Sequence, residues 1–588
     1  MKLSVFKRML AYCRPYRRFL WGAIFSAVLQ ISLTLYGPVL IGRAVDQMLG
    51  YRAVHYTVIL QTICILSATI AVSMVFQWVM AHCVNRLTYL TARDIRIDAY
   101  RKLNTLPLKY LDAHPHGDLI SRLVNDVDQV ADGLLQSFTQ FFTGIVTILG
   151  TIVFMLGISP LITLVVVLIT PLSLFAAMFI AKRSHKMFVR QQAIQGQLSG
   201  YVEEMLGNQK LVKVFSREEH SFAEFCALNE ELQMHGQKAQ FYSSLSGPST
   251  RFVNNLVYAA VAVVGSLCAV TGVPVSLTVG GITSFLTYAN QYTKPFNEVT
   301  GVIPQIQTAV ASAQRLFAFL DETAEQPDSV DATVLTNCRG EIDIAHLYFS
   351  YAPDAPLIED FNLHVNPGDR IAIVGPTGCG KTTLINLLMR FYPANSGEIF
   401  IDGQSVTQIT RNSWRRQFGM VLQDTWLYHG TIFENIAYGK PNATEQEVVN
   451  AAKAAFAHDF IMQLPNGYQT LVAEDGGNLS QGQKQLLSIA RVMLLSPPML
   501  ILDEATSSID TRTERRVQAA FESIMQGRTS FIVAHRLSTI QHATTILVMQ
   551  KGRVIEQGNH AQLLAQNGLY AKLYRSQFTQ TEPITDGV

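Results

Sequence analysis

Eight residues, Gly375-Pro376-Thr377-Gly378-Cys379-Gly380-Lys381-Thr382, join glycines, a lysine and a hydroxyl at the spacing G-x-x-x-x-G-K-[ST]. Such a loop lets backbone N–H groups wrap a β-phosphate. It sends the Lys381 ammonium toward the β- and γ-phosphates and offers the Thr382 hydroxyl to Mg²⁺, with Thr383 beside it. The pattern counts only between a strand and a helix, and here IAIVG precedes it and TTLINLLMRFY follows. A second acidic element is MLILDEATSSID. Its apolar residues form a buried strand with Asp503 at the carboxyl end, where α/β sheets bind ligands. Asp503 is expected to hold Mg²⁺ through water, and Glu504 to accept a proton from the attacking water.

Gln423 ends GMVLQ and His535 ends SFIVAH, each a polar residue after an apolar strand. Gln423 can ligate Mg²⁺ or orient water, and His535 can hydrogen-bond a γ-phosphate. Either alone would more often be structural; the repeated placement assigns them to the chemistry. Tyr351, in the loop after the first strand, could stack on a purine, although a lone aromatic there is more often packing. Residues 479–483, LSQGQ, lie just before the helical KQLLSIARVMLL. Ser480 and Gly482 at a helix N-terminus suit an anion, because unpaired N–H groups point outward at the positive end of the helix dipole. Gln481 puts a bulky side chain between them.

These residues need two kinds of scaffold. At 588 residues the chain exceeds one hydrophobic core, and its net charge of +2 argues against a general nucleic-acid binder. From Gly340 onward, EIDIAHLYFSY alternates like a strand and NPGDR makes a turn, the pattern of a soluble α/β domain over 340–588. The polar stretch 321–339 reads as a linker. Before about residue 300 the apolar residues crowd into six segments, 19–41, 57–81, 137–157, 160–180, 252–272 and 277–299, each near the ~20 residues a bilayer requires. The expected fold is thus a membrane α-helical domain of six transmembrane helices over 1–320, followed by an α/β P-loop ATPase domain. The seven cysteines are scattered and form no C-x-x-C pair, which leaves neither a disulfide framework nor a zinc site. The N-terminal segment reads as a retained signal anchor rather than a cleaved signal.

Arg14, Arg17 and Arg18 precede the first span; Arg86, Arg93, Arg96, Arg101 and Lys102 follow the second; Lys182, Arg183, Lys186 and Arg190 follow the fourth. The short loops opposite carry little charge beyond Arg43 and Arg52. The positive-inside rule then places both termini and both long loops in the cytoplasm. The long loops continue as helices some 35–40 Å past the bilayer, at 1.5 Å per residue. Each is interrupted, by LDAHPHGDLISRL near 112–123 and by VEEMLGNQKLVKVF near 203–214. These are surface elbows or, the preferred reading, contact points through which a cytoplasmic domain moves the membrane helices.

With these motifs in order, the chain resembles a half-size ABC exporter, a membrane domain fused to a nucleotide-binding domain, over nearly its whole length. Gly375 to Thr382 resembles the Walker A loop and LILDE the Walker B strand. Gln423 matches the Q-loop, His535 the switch histidine, Ser507 to Asp510 the D-loop and Tyr351 the A-loop. LSQGQ, from Leu479 through Ser480, Gln481, Gly482 and Gln483, matches the signature motif, and the loop interruptions resemble coupling helices. The resemblance implies ATP and Mg²⁺ as cofactors and a head-to-tail dimer in which Ser480 meets an ATP held mainly by the partner.

The usual signature is L-S-G-G-Q. Gln481 departs from it, and Ala473 and Asp475 depart from the family's V-G-E-R-G pattern. The expectation is a heterodimer with one degenerate ATP site; the alternative is a homodimer that tolerates the glutamine. Phe285, Tyr288 and Tyr292 share a face of the sixth span, as cavity lining or, preferred, as packing. Lys294 and Glu298 read as an i, i+4 ion pair. With no strong intramembrane charge, the expected substrate is amphipathic or hydrophobic, a drug or lipid exported across the cytoplasmic (inner) membrane. The alternatives are an importer of exporter fold, as for metal chelates, and a regulator or gated channel, disfavoured by Glu504 and His535. A peptide exporter is expected less, since the sequence opens at the membrane-entry helix with no peptidase ahead.

Overall fold

The computed structural model describes residues 2–48, 54–272, 277–352, 355–423, 425–473, 476–503, 511–533 and 540–578. The chain forms two compact units, Met1–Leu106 with His114–Thr323, and Pro107–Ala113 with Ala324–Val588.

The first unit is helical. Its apolar segments correspond to the helices Arg17–Asp46, Tyr56–Leu103, Ser137–Phe142 with Thr143–Ile158, Pro160–Gly207, Ser246–Thr271 and Val279–Asp321, to within two residues at the ends of the last two segments. Among the described residues, four helical stretches are long and apolar enough to cross a membrane: Val5–Asp46, Tyr56–Leu103, His116–Ile158 and Glu218–Thr271. Pro160–Pro171 is a shorter apolar helix. Tyr56–Leu103 has 48 residues, about 72 Å at 1.5 Å per residue, well beyond the ~30 Å hydrocarbon layer. A π-helical turn, Ser137–Phe142, precedes Thr143–Ile158. Ser137 and Thr139 donate to the Gly133 and Leu135 carbonyls at 2.6 and 2.7 Å; such back-bonding competes for the acceptors of the regular ladder and accompanies the local widening.

Phe285, Tyr288 and Tyr292 are buried in one apolar cluster with Ile31, Leu35 and Met155. The Tyr288 hydroxyl donates to the Leu35 carbonyl. The stripe is packing between helices, as the preferred reading had it. Lys294 and Glu298 form an ion pair at 3.6 Å. The helices Arg17–Asp46 and Val279–Asp321 approach so closely that a Cβ on Gly280 would lie 1.9 Å from the Gly42 carbonyl oxygen. Asp46 caps the second helix there, accepting from the Gly280 N–H at 2.7 Å and the Thr278 hydroxyl at 2.8 Å. The long-loop interruptions are short helices, Leu108–Asp112 and His116–Leu123 in the first and Gln209–Val214 in the second.

The second unit is α/β. A six-stranded sheet runs in the order Arg553–Gly558, Thr545–Gln550, Arg370–Val374, Thr529–Val533, Met499–Asp503, Phe418–Val421. Only the pairing of Arg553–Gly558 is antiparallel; the other five strands run parallel. The central strands are nearly wholly buried, as continuous apolar runs covered on both faces must be. One core holds the helices against this sheet. A second joins it to the antiparallel sheet built on Ile342–Phe349 and Ile358–Val365.

The polar 321–339 stretch is not loose over its length. Asp328 pairs with Arg411 at 2.9 Å, and Glu325 with Arg411 and Arg415 at 3.3 and 3.5 Å. Thr333 bridges to Ile409, and Leu335 is buried. Its carboxylates reach guanidinium groups about 85 residues away in sequence, a pairing that local composition does not reveal.

Candidate nucleotide-binding site

Four neighbouring parallel strands end on one edge of the sheet. Arg370–Val374 leads into the glycine loop; beside it lie Thr529–Val533, Met499–Asp503 and Phe418–Val421. Ile373 is level with Val533, Val533 with Asp503, and Val421 with Leu502. At about 4.8 Å per strand, the glycine loop, Asp503 and Gln423 fall along one row about 15 Å long. Parallel order does this, because it brings every carboxyl end to the same side. Asp503 is partly buried and Gln423 is exposed. Glu504, His535 and the Ser507 to Asp510 segment lie outside the described residues, directly after the strands ending at Asp503 and Val533.

The glycine loop is shaped by its neighbours. A Cβ on Gly375 would meet the Met549 carbonyl oxygen at 2.2 Å, and Gly380, the N-cap of Lys381–Leu388, has φ +104°; both positions therefore demand glycine. The Lys381 ammonium is folded inward, donating to the Gly375 and Pro376 carbonyls at 2.9 and 3.1 Å. Pro376, Thr377 and Gly378 are exposed on the loop, and Thr382 is exposed on the first helical turn. Cys379 is 3% exposed and belongs to the core, so its side chain faces away from any ligand in solvent. The helix after the loop stops at Leu388 rather than running to Tyr392. Arg390, at φ +51°, turns the chain.

That turn makes an aromatic cluster that motif reading missed. Tyr351 packs edge-to-face on Phe349 and on Tyr392, with centroids 4.9 and 5.1 Å apart. The Tyr351 hydroxyl lies 3.3 Å from the buried Thr383 hydroxyl. Tyr351 keeps 41% of its surface exposed, whereas Phe349 and Tyr392 are buried. Thr383 therefore supports the aromatic ring. The available signal for Tyr392 was the aromatic pair after MR in TTLINLLMRFY.

Ser480 caps the helix Gln481–Leu495 through a capping box: its Oγ accepts the Gln483 N–H at 3.3 Å, and the Gln483 side chain accepts the Ser480 N–H at 2.8 Å. Its hydroxyl proton can still be donated outward, and the N–H groups of Gln481 and Gly482, in the first turn, have no intrahelical acceptor. Gln483 thus orders the cap. Gln481 is the first helical residue and is not among the positive-φ positions. The expected loss of glycine's backbone freedom is accordingly not felt: what Gln481 adds is an exposed side chain, its Nε2 3.5 Å from Thr425 Oγ1.

A family model described as the ABC transporter transmembrane region matches residues 20–296, and one described as ABC transporter matches residues 358–507. The chain belongs to the ABC transporters. It is 44% identical over 535 residues to a fatty acid ABC transporter ATP-binding/permease protein of Mycobacterium bovis, covering 91% of this chain and 83% of that protein. It is 36% identical over 578 residues to an ATP-dependent lipid A-core flippase of Desulfotalea psychrophila, covering 98% and 99%. Its fold matches a bacterial Atm1-family ABC exporter solved with ATP bound, at a TM-score of 0.78 and 29% identity, over 96% of this chain and 99% of that one. This ABC chain is an ATP-hydrolysing transporter that carries membrane and nucleotide-binding regions together, in a family whose half-size members work as dimers.

Proposed function

We propose that this chain is one half of a dimeric exporter that moves an amphipathic, lipid-like substrate across the cytoplasmic membrane by alternating access. Residues 1–320 supply six spans and 340–588 the nucleotide-binding domain, with both termini cytoplasmic. The fatty acid and lipid A-core relatives support the substrate class. The observation that carries the reading is the single row of strand ends bearing the glycine loop, Asp503 and Gln423.

In this reading the loop from Gly375 to Thr382 holds the phosphates, Thr383 supports the Tyr351 ring from behind, and the Lys381 ammonium exchanges its two loop carbonyls for phosphate oxygens. Tyr351 stacks on the adenine. The oxygen donors of Thr382, Gln423 and Asp503 suit a hard cation and would hold Mg²⁺, which when bound neutralises charge on the triphosphate oxygens. Glu504 takes the proton of the attacking water, and His535 hydrogen-bonds the γ-phosphate. Ser480, Gln481, Gly482 and Asp510 face the partner's nucleotide. ATP binds the closed state more tightly than the open one, and that difference in affinity drives the cycle.

The partner is a second half-transporter. With no backbone penalty at Gln481, the argument for unequal sites rests on its side chain, which stands where a partner's ATP would lie; the heterodimer is the reading we carry forward. The test is phosphate release by the chain purified in lipid, alone and with a candidate partner, and uptake of a fluorescent fatty acid by inside-out vesicles. Glu504→Gln and Lys381→Ala are expected to abolish both activities. Cooperative turnover by the isolated chain would overturn the heterodimer, and uptake confined to right-side-out vesicles would overturn export.

A further inference from the structure

On the antiparallel sheet of the second unit, three side chains of metal-binding type converge outside the nucleotide site. Asp343 stands directly opposite His364 across the strands Ile342–Phe349 and Ile358–Val365, and Glu341 lies two residues before Asp343. Side chains alternate along a strand. Ile342, Ile344, Leu363 and Val365 are buried in the core, so Glu341, Asp343 and His364 share the face turned away from it. One imidazole nitrogen and one oxygen of each carboxylate all lie within 4.8 Å of one another. Both acidic residues are partly buried and His364 is exposed. Among the described residues, neither carboxylate forms an ion pair with a lysine or an arginine.

The backbone and the imidazole are both held. The Glu341 N–H donates to Asp402 Oδ1 at 3.1 Å, and the Asp402 N–H donates back to the Glu341 carbonyl at 3.0 Å. His364 Nε2 lies 3.3 Å from Asn366 Oδ1. Asn366 is anchored in turn, its backbone N–H and its Nδ2 donating to Asp369 Oδ2 at 2.9 and 3.3 Å. An amide oxygen only accepts, so Nε2 carries the proton there and Nδ1 faces the carboxylates, 2.5 Å from Asp343 Oδ1. A metal-ligating histidine is oriented in this way, by a hydrogen bond from its other nitrogen. We propose that Glu341, Asp343 and His364 form a zinc site, with His364 Nδ1 and one oxygen of each carboxylate as ligands and Asn366 setting the ring. The ion replaces the proton between Nδ1 and Asp343, which passes to solvent. Bonds of about 2.0–2.2 Å put tetrahedral donors roughly 3.4 Å apart. The His364–Asp343 pair therefore opens by about 1 Å while Glu341 closes on it, rotations that side chains on an open face can make. The fourth position is left to water. A mixed imidazole and carboxylate set suits Zn²⁺, whereas Mg²⁺ and Ca²⁺ prefer oxygen alone. The ion staples the hairpin that carries Tyr351, at the end away from its loop.

The test is zinc titration of the metal-stripped full chain in lipid nanodiscs, against a fluorescent zinc chelator and in excess Mg²⁺. The wild type is expected to bind one equivalent more than His364→Ala, and the Mg²⁺ to leave that equivalent in place. Asn366→Ala keeps all three ligands and is expected to weaken the site about tenfold, the lower end for outer partners of a metal-bound histidine. Co²⁺ in place of Zn²⁺ should give the visible absorption of a four-coordinate ion in the wild type, lost in Glu341→Gln and in Asp343→Ala. The melting temperature should rise with zinc in the wild type and not in His364→Ala. A plain cross-strand ion pair would instead lower the melting temperature of His364→Ala by the same amount with and without zinc, and that result would overturn the site. So would equal zinc stoichiometry and affinity in the wild type and His364→Ala.

Discussion

Two glycines of the phosphate loop are expected to respond differently to the same added methyl group. At Gly375 a Cβ would lie 2.2 Å from the Met549 carbonyl oxygen and 2.7 Å from Cys379 Sγ. Met549 cannot yield cheaply, because its strand is paired on both sides, with Arg370–Val374 and with Arg553–Gly558. Relief therefore falls on the loop, which must shift by on the order of 1 Å, a misplacement that costs about 100-fold when groups must be held in register. Gly378 has φ +81° and nothing within 4 Å of its Cβ position. Gly378→Ala carries only the left-handed conformational cost of about 1–2 kcal/mol, a ceiling of roughly 30-fold. The assay is displacement of a fluorescent ATP analogue from the full chain at fixed Mg²⁺, with thermal unfolding as a check on folding. The expected order is wild type, then Gly378→Ala, then Gly375→Ala, with both variants folded. Wild-type affinity in a folded Gly375→Ala protein would refute the steric argument, and a reversed order would show that backbone conformation outweighs contact.

Gly280→Ala should lower the melting temperature and yield of the membrane unit, because its Cβ falls 1.9 Å from the Gly42 carbonyl oxygen, whereas Gly157→Ala, with nothing within 4 Å, should be neutral or slightly stabilising. Trp414→Ala should destabilise the ATPase unit by about 3–5 kcal/mol in denaturant titration: the ring is fully buried, lies 4.9 Å from Phe418, and donates to the Leu388 carbonyl at 2.7 Å. The Lys440 ammonium, with the Thr444 cap groups, holds the Glu447 carboxyl down from 4.5 to about 2. Because that pKa is depressed on folding, its stabilisation is present above pH 4.5 and fades as pH falls toward 2. Melting temperature against pH should accordingly fall less steeply over that window in Glu447→Gln than in the wild type.

Much of the candidate site is legible in one dimension. The glycine loop, Asp503, Gln423 and Ser480 each follow or precede a local pattern that dictates its element: an apolar run short enough for a buried strand, or a hydroxyl before a helix. The observed strands Arg370–Val374, Met499–Asp503, Phe418–Val421 and Thr529–Val533, and the helix Gln481–Leu495, fall where those patterns place them. Glu504, Asp510 and His535 remain expectations of the sequence, since they lie outside the described residues. The apolar segments were equally readable as helices, because main-chain hydrogen bonding over some 20 apolar residues has few other solutions.

What the sequence determined was therefore local: which residues form each element, and the phosphate chemistry of residues adjacent in the chain. Tertiary structure alone decided which elements are neighbours. It set Tyr392 under Tyr351 and brought Asp112, 280 residues away, to its hydroxyl. It strapped Glu325 and Asp328 to Arg411, made Gly375 indispensable through a carbonyl on another strand, and placed Gln481 on the first helical turn, where no glycine is needed. The physical reason is that periodicity and capping act over one or two turns of chain, whereas close packing acts between surfaces whose meeting depends on the order in which strands and helices assemble.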